Sequence, residues 1–332
     1  MKIALVGTGN IARSNYVPYL VENEDVELLY YNRTASKATD LAERFGGRAY
    51  ATLEQLMAEK PDAVMILTRE TDRYAATQAV LEHRPRRVFF EKPLVAQYGQ
   101  ANVVEDDFNK AQELLQRAAE IGAETAMVFN YRFFDQTRKA RAIVSKRRFG
   151  KPVHFSGMVH YACWSHCIDL IHHFVGPIAE ISALRSKCER QGTGGGAPDV
   201  TAAMRTTGDA TGTLIGTFGM DFQLPLYELI FAFEGGRIHM RDLDGDMEMI
   251  EYATQRHEMH AVSRHVSRWQ QYDASFGKSI NAYLQSIRDG APPPVPGIAG
   301  LRELQVEAAL KRSIAQQRPV VLDRAFPIDL AQ

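Results

Sequence analysis

Residues 2–12 of the chain read KIALVGTGNIA. The run up to Val6 is short, aliphatic and unbroken by polar residues, the pattern of a strand buried on both faces. The chain then turns at once, with Gly7, Gly9 and Ala12 in the G-x-G-x-x-G/A spacing. Gly7 permits a tight turn, Gly9 lets the backbone approach a pyrophosphate, and Ala12 lets a helix pack closely on the strand. The backbone of Gly7, Thr8, Gly9, Asn10 and Ile11, at the start of that helix, favours a bound phosphate.

The alternation continues outward from this turn. VELLYY (26–31) is a second strand, SKATDLAERF a helix closed by Gly46, DAVMILT a strand, TDRYAATQAVLEH a helix and RRVFF another strand. Strands alternating with helices predict a parallel, doubly wound sheet, whose ligands lie beyond the carboxyl ends of the strands. Thr68 and Glu91-Lys92-Pro93 fall at such ends. Pro93 restricts the backbone of Lys92, and the Lys92–Pro93 bond is a candidate cis peptide.

The second strand ends at Asn32, where an NAD-binding chain commonly carries an acid for the ribose hydroxyls. Here the sequence is YNRTASK, without a carboxylate. Asn32, Arg33, Thr34 and Lys37 offer amide, cationic and hydroxyl groups, and an arginine pairs with a 2′-phosphate that an aspartate repels. The expected cofactor is therefore NADP, with NAD as the alternative. The same residues also suit a polar loop capping the next helix through Thr34 or Ser36.

From ETAMVFNYRFF onward the pattern becomes one of strands: VHFSGMVHY, EISALRSK, TGTLIGTFGM, and YELIFAFEGGRIHM with its hairpin turn. QGTGGGAPD (191–199) reads as a flexible loop, and DGAPPPVPG as a connection before a last helix. The chain has 332 residues, 45% of them hydrophobic, and a formal net charge of -1. That suits about two domains and gives no global field for nucleic acid or an anionic membrane surface. Three cysteines, Cys163, Cys167 and Cys188, make no disulfide framework and fit a reducing compartment. With no signal peptide or membrane span read, the expected location is cytoplasmic.

GTGNIA near the start, EKPL at 91–94 and the helix HCIDLIHHFVG, with His166, Asp169 and Gly176, come in order. Together they resemble the glucose–fructose oxidoreductase / inositol dehydrogenase / MocA family. A C-terminal helix and short strand, AGLRELQVEAALKRSIAQQRPVVL, extends the likeness over nearly the whole chain. The resemblance implies a Rossmann domain (1–122) and an α+β domain (123–332) built on a large, open, mainly antiparallel sheet for substrate and for oligomer contacts. It implies an NAD(P)-dependent dehydrogenase acting on a CH–OH group of a sugar, cyclitol or sugar derivative. An open sheet with one helix-covered face usually needs another subunit to cover the rest, so a homodimer or homotetramer is expected.

His166 suits the base and Lys92 the electrostatic partner of such a hydride transfer, with Glu91 supporting the lysine. Asp169, one turn from His166, is a candidate either to hold a substrate hydroxyl or to orient the imidazole, and His173 on the same stripe is a candidate substrate contact or a packing residue. Tyr131 and Arg132, read as ending the first strand of the second domain, are further candidates. No metal is expected, since Cys163, His166 and Cys167 cannot all face one ion. The chain departs from the family twice. Ala162 stands where an aspartate usually precedes the histidine, and QYGQANVVEDD (97–107) looks like an insertion of open role. The same motifs admit two alternatives: a non-catalytic nucleotide-binding sensor, and a lyase or hydrolase that recycles a tightly bound NAD.

Overall fold

The computed structural model describes residues 1–220, 225–243, 245–261 and 266–330. By internal contacts the chain forms two compact units. The first holds Met1–Phe129, Phe276–Leu304 and the last few residues, and the second holds Asn130–Ser275 with Gln305–Pro327.

The first unit contains strands β1 (Lys2–Val6), β2 (Glu27–Tyr31), β3 (Arg48–Tyr50), β4 (Ala63–Ile66), β5 (Arg87–Phe90) and β6 (Glu124–Met127). They form one sheet in the order β3-β2-β1-β4-β5-β6, and every pairing is parallel. β4 is buried throughout and β1 nearly so, which is why both read as unbroken apolar runs. The strand order reverses between β1 and β4, the switch point where such sheets leave a crevice. Glu124–Met127 belongs to this sheet, paired with β5, and not to the second sheet as the sequence pattern suggested. A strand flanked by helices and a strand flanked by strands have the same local period, so only the pairing partner distinguishes them.

The second unit holds β7 (Pro152–His160), β8 (Ile178–Gly192), β9 (Gly195–Thr206), β10 (Thr211–Thr217), β11 (Tyr227–Phe233), β12 (Gly236–Arg241), β13 (Met247–Glu251), β14 (Arg256–His260) and β15 (Val320–Val321). The nine-stranded sheet runs β14-β13-β12-β11-β7-β10-β9-β8-β15. All its pairings are antiparallel except β7 with β10. One face carries buried Phe155, Leu214, Leu229, Phe231 and Ile238, and the helix Trp164–Val175 packs on it by stacking Phe174 on Phe231, centroids 4.4 Å apart. The expected loop at 191–199 is instead mostly strand. β8 and β9 pair up to Gly192 and Gly195, because the glycines there close a tight turn rather than a long loop.

Among the described residues, no helix is long and apolar enough to cross a membrane.

Candidate active site

The glycine turn owes its shape to crowding. Gly7 lies at φ +97°, and a Cβ there would stand 2.6 Å from the Thr68 backbone nitrogen. A Cβ on Gly9, by contrast, would meet nothing within 4 Å, so that side of the turn is open. Asn32 ties the turn to the end of β2: its Oδ1 accepts from the Thr8 N–H at 3.2 Å, and its Nδ2 donates to the Thr34 carbonyl. The hydroxyls of Thr8 and Thr68 are buried and have no hydrogen-bond partner among the described residues. Two unsatisfied hydroxyls beside an open glycine fit a polar ligand such as a dinucleotide. The helix after the turn widens to a π-turn over Ala12–Tyr16, just before Pro18. A proline has no N–H to give to the carbonyl four residues back, here that of Ser14, and its ring crowds that oxygen, so the ladder widens.

The end of β5 is held from several sides. Glu91 is buried, and its carboxylate accepts from the Tyr16 hydroxyl at 3.0 Å and from the Lys92 backbone N–H at 2.6 Å. Burial pushes the Glu91 carboxyl above its ordinary range, against the pull of Lys92 and Arg73. Arg73 is also buried; it donates to the carbonyls of Glu91 and Thr68, each at 2.8 Å, and to that of Pro93. The Lys92–Pro93 bond is cis. Lys92 itself is half-buried, and its Nζ donates to Gln100 Oε1 at 3.1 Å. Sequence reading missed Arg73, although it shares the buried stripe Arg73, Thr77, Val80 and Leu81 of the helix Glu70–Glu82, an unusual place for a cation.

Arg33 and Lys37 are exposed, and Arg33 has one long ion pair, 3.9 Å to Asp72. Thr34 occupies the N-cap of the helix Ala35–Phe45 without a side-chain capping bond. The polar-loop reading therefore gains no capping bond from Thr34.

In the second unit, Tyr131 and Arg132 lie on a 3₁₀ turn, Asn130–Phe133, rather than at a strand end. The His166 ring stacks on Tyr131, centroids 4.0 Å apart and planes 8° from parallel, and the Tyr131 hydroxyl lies 3.2 Å from Cys163 Sγ. Asp169 is fully buried and accepts from Arg132 Nε at 2.7 Å and Nη2 at 2.5 Å. Both its oxygens are thus engaged, and His166, Asp169, Tyr131 and Arg132 form one cluster. His173 falls to a pKa of about 3, through burial first and then the charges of Arg132 and Arg141, so it is neutral near pH 7. Among the described residues, no group of three or more His, Cys, Asp or Glu could hold a metal ion.

The family model described as "Oxidoreductase family, NAD-binding Rossmann fold" matches residues 1–119, and the "GFO/IDH/MocA C-terminal domain" matches residues 108–238. The chain belongs to the Gfo/Idh/MocA oxidoreductase family. Solved structures share the fold of this Gfo/Idh/MocA chain. An oxidoreductase from Agrobacterium radiobacter in complex with NAD+, L-tartaric acid and magnesium is 15% identical, with 98% of this chain and 99% of that one covered and a TM-score of 0.80. The WlbA dehydrogenase from Bordetella pertussis, in complex with NADH and UDP-GlcNAcA, is 19% identical, with 97% of each chain covered and a TM-score of 0.74. A levoglucosan dehydrogenase in complex with NADH and levoglucosan is 14% identical, with 97% and 99% covered and a TM-score of 0.77. At these identities the likeness is one of fold. No curated protein matches the chain by sequence.

Proposed function

We propose that this Gfo/Idh/MocA chain is an NADP-dependent dehydrogenase acting on a hydroxyl or keto carbon of a sugar, cyclitol or sugar derivative. The observation that carries the reading is Lys92, fixed by Glu91 and Arg73 at the carboxyl end of a Rossmann strand. Among the described residues its ammonium is bound by a neutral amide alone. Gly7, Thr8, Gly9, Asn10 and Ile11 would hold the pyrophosphate, Asn32, Arg33, Thr34 and Lys37 the adenosine ribose and its phosphate, and Thr68, Glu91 and Lys92 the nicotinamide end. When bound, the nicotinamide supplies the hydride acceptor or donor.

The residues of the chain do the rest. His166 takes the hydroxyl proton, and the flat face of Tyr131 fixes the plane of its ring. Lys92 stabilises the developing alkoxide. Asp169 orients Arg132 rather than the substrate, and Arg132 and Tyr131 line the substrate position. Ala162 leaves His166 without the family's usual aspartate, so the stack on Tyr131 carries more of its orientation. The solved structures named above hold NAD+ or NADH, so the choice of NADP rests on Arg33 and its neighbours in this chain.

Assembly is part of the same reading. Val153, Met158, Leu184 and Met259, exposed by 42% or more on the second unit's surface, are covered in a homodimer or homotetramer. A screen of sugars and cyclitols for change in reduced-nicotinamide absorbance tests the function.

A further inference from the structure

Within the stretch 97–107, which reads as an insertion of open role, the segment 97–104 has a tightly fixed backbone. Asp107, fully buried, accepts from the Gln97 N–H at 2.9 Å and from the Val104 N–H at 2.8 Å, clamping the segment at both ends. Gly99, at φ +84°, turns the chain, and its N–H donates to the Ala96 carbonyl. The Gln100 N–H is held by Glu70 Oε1 at 3.3 Å, and Val103 is buried beneath. The short 3₁₀ turn Gln100–Asn102 thus presents the Gln100 side-chain oxygen to Lys92 Nζ from a fixed frame.

We infer that Gln100 is a positioning residue for Lys92: the 97–104 segment supplies a neutral acceptor that aims the ammonium without cancelling its charge. This rests on the reading of Lys92 given above. A lysine ammonium has three donors. Gln100 takes one and thereby sets the direction of the other two, which are available to a substrate oxygen. A carboxylate at position 100 would orient the ammonium equally well but neutralise the field that favours an alkoxide.

The first test needs no substrate. Lysine acylation followed by mass spectrometry reports the reactivity of Lys92 in the full chain, with Lys37 and Lys60 as internal references. Gln100→Leu removes the acceptor and is expected to raise Lys92 labelling about fivefold, the factor for one lost hydrogen bond. Gln100→Glu is expected to lower it, with both reference lysines unchanged. Gln100 is exposed, so both variants should unfold at the wild-type urea midpoint. Unchanged Lys92 labelling in both variants overturns the proposal.

The second test is a cycle of turnover with Lys92→Met, once a substrate is in hand. Gln100→Leu should lower kcat with little change in KM or cofactor affinity, and should have no further effect when Lys92 is already methionine. Fully multiplicative losses overturn the positioning role. Wild-type turnover by Lys92→Met overturns instead the reading of Lys92 on which the proposal rests, while the labelling result still reports the contact.

Discussion

Arg132 holds both carboxylate oxygens of the fully buried Asp169, through Nε at 2.7 Å and Nη2 at 2.5 Å. Burial drives the Asp169 carboxyl up, and the arginine opposes that shift. Removing one partner of such a pair leaves an uncompensated charge in the interior. Arg132→Ala should therefore destabilise the protein by about 3–5 kcal/mol in urea unfolding. A loss below about 1 kcal/mol would mean that the pair is solvated and that Asp169 is available to a substrate.

Glu307 gives a pH signature. Burial raises its carboxyl from 4.5 to about 7, against the pull of Lys311 and a hydrogen bond from Trp164. Its folded value lies above its unfolded one, so the folded chain binds the extra proton. The stability it contributes is full below pH 4.5 and is lost as the pH rises through about 7. Between pH 5 and 8 the wild type should lose about 2.5 kcal/mol more than Glu307→Gln does. Parallel stability profiles for the two proteins would contradict this.

Arg33 is exposed and only loosely paired, so its charge is free for a 2′-phosphate. Wild type should bind NADPH more tightly than NADH, and Arg33→Asp should reverse the order, with a change of about tenfold or more in their affinity ratio. Fluorescence titration with both cofactors measures it. Tighter NADH binding by the wild type would remove the case for NADP.

The proposed assembly would cover the exposed apolar side chains of the nine-stranded sheet. Light scattering at micromolar concentration should show a dimer or tetramer, and Met158→Lys with Leu184→Lys should shift it toward monomer. A wild-type monomer would contradict the proposal.

Much of this was legible in the chain. The run into Gly7 and the regular alternation that follows predict the parallel sheet, because buried parallel strands leave unbroken apolar runs. EKP marked Lys92 because a proline after a strand-end lysine constrains its backbone. What the sequence hid were partnerships set by long-range packing. Arg73 reaches across to Thr68, Glu91 and Pro93, and Asp107 clamps the stretch that read as an insertion of open role. Asp169 looked free one turn from His166, but its partner sits 37 positions away. The glycines at 192–195 suggested flexibility, yet they close a tight hairpin whose strands extend almost to its tip.

The central claim is that His166 and Lys92 carry the chemistry, and single-turnover hydride transfer tests it most directly. With a substrate from the sugar and cyclitol screen and cofactor pre-bound, His166→Ala should slow the transfer by about 10²–10⁴-fold. Lys92→Met should cost roughly 10²–10³-fold, and cofactor affinity should change little in either variant. Transfer at the wild-type rate in either variant would contradict the account.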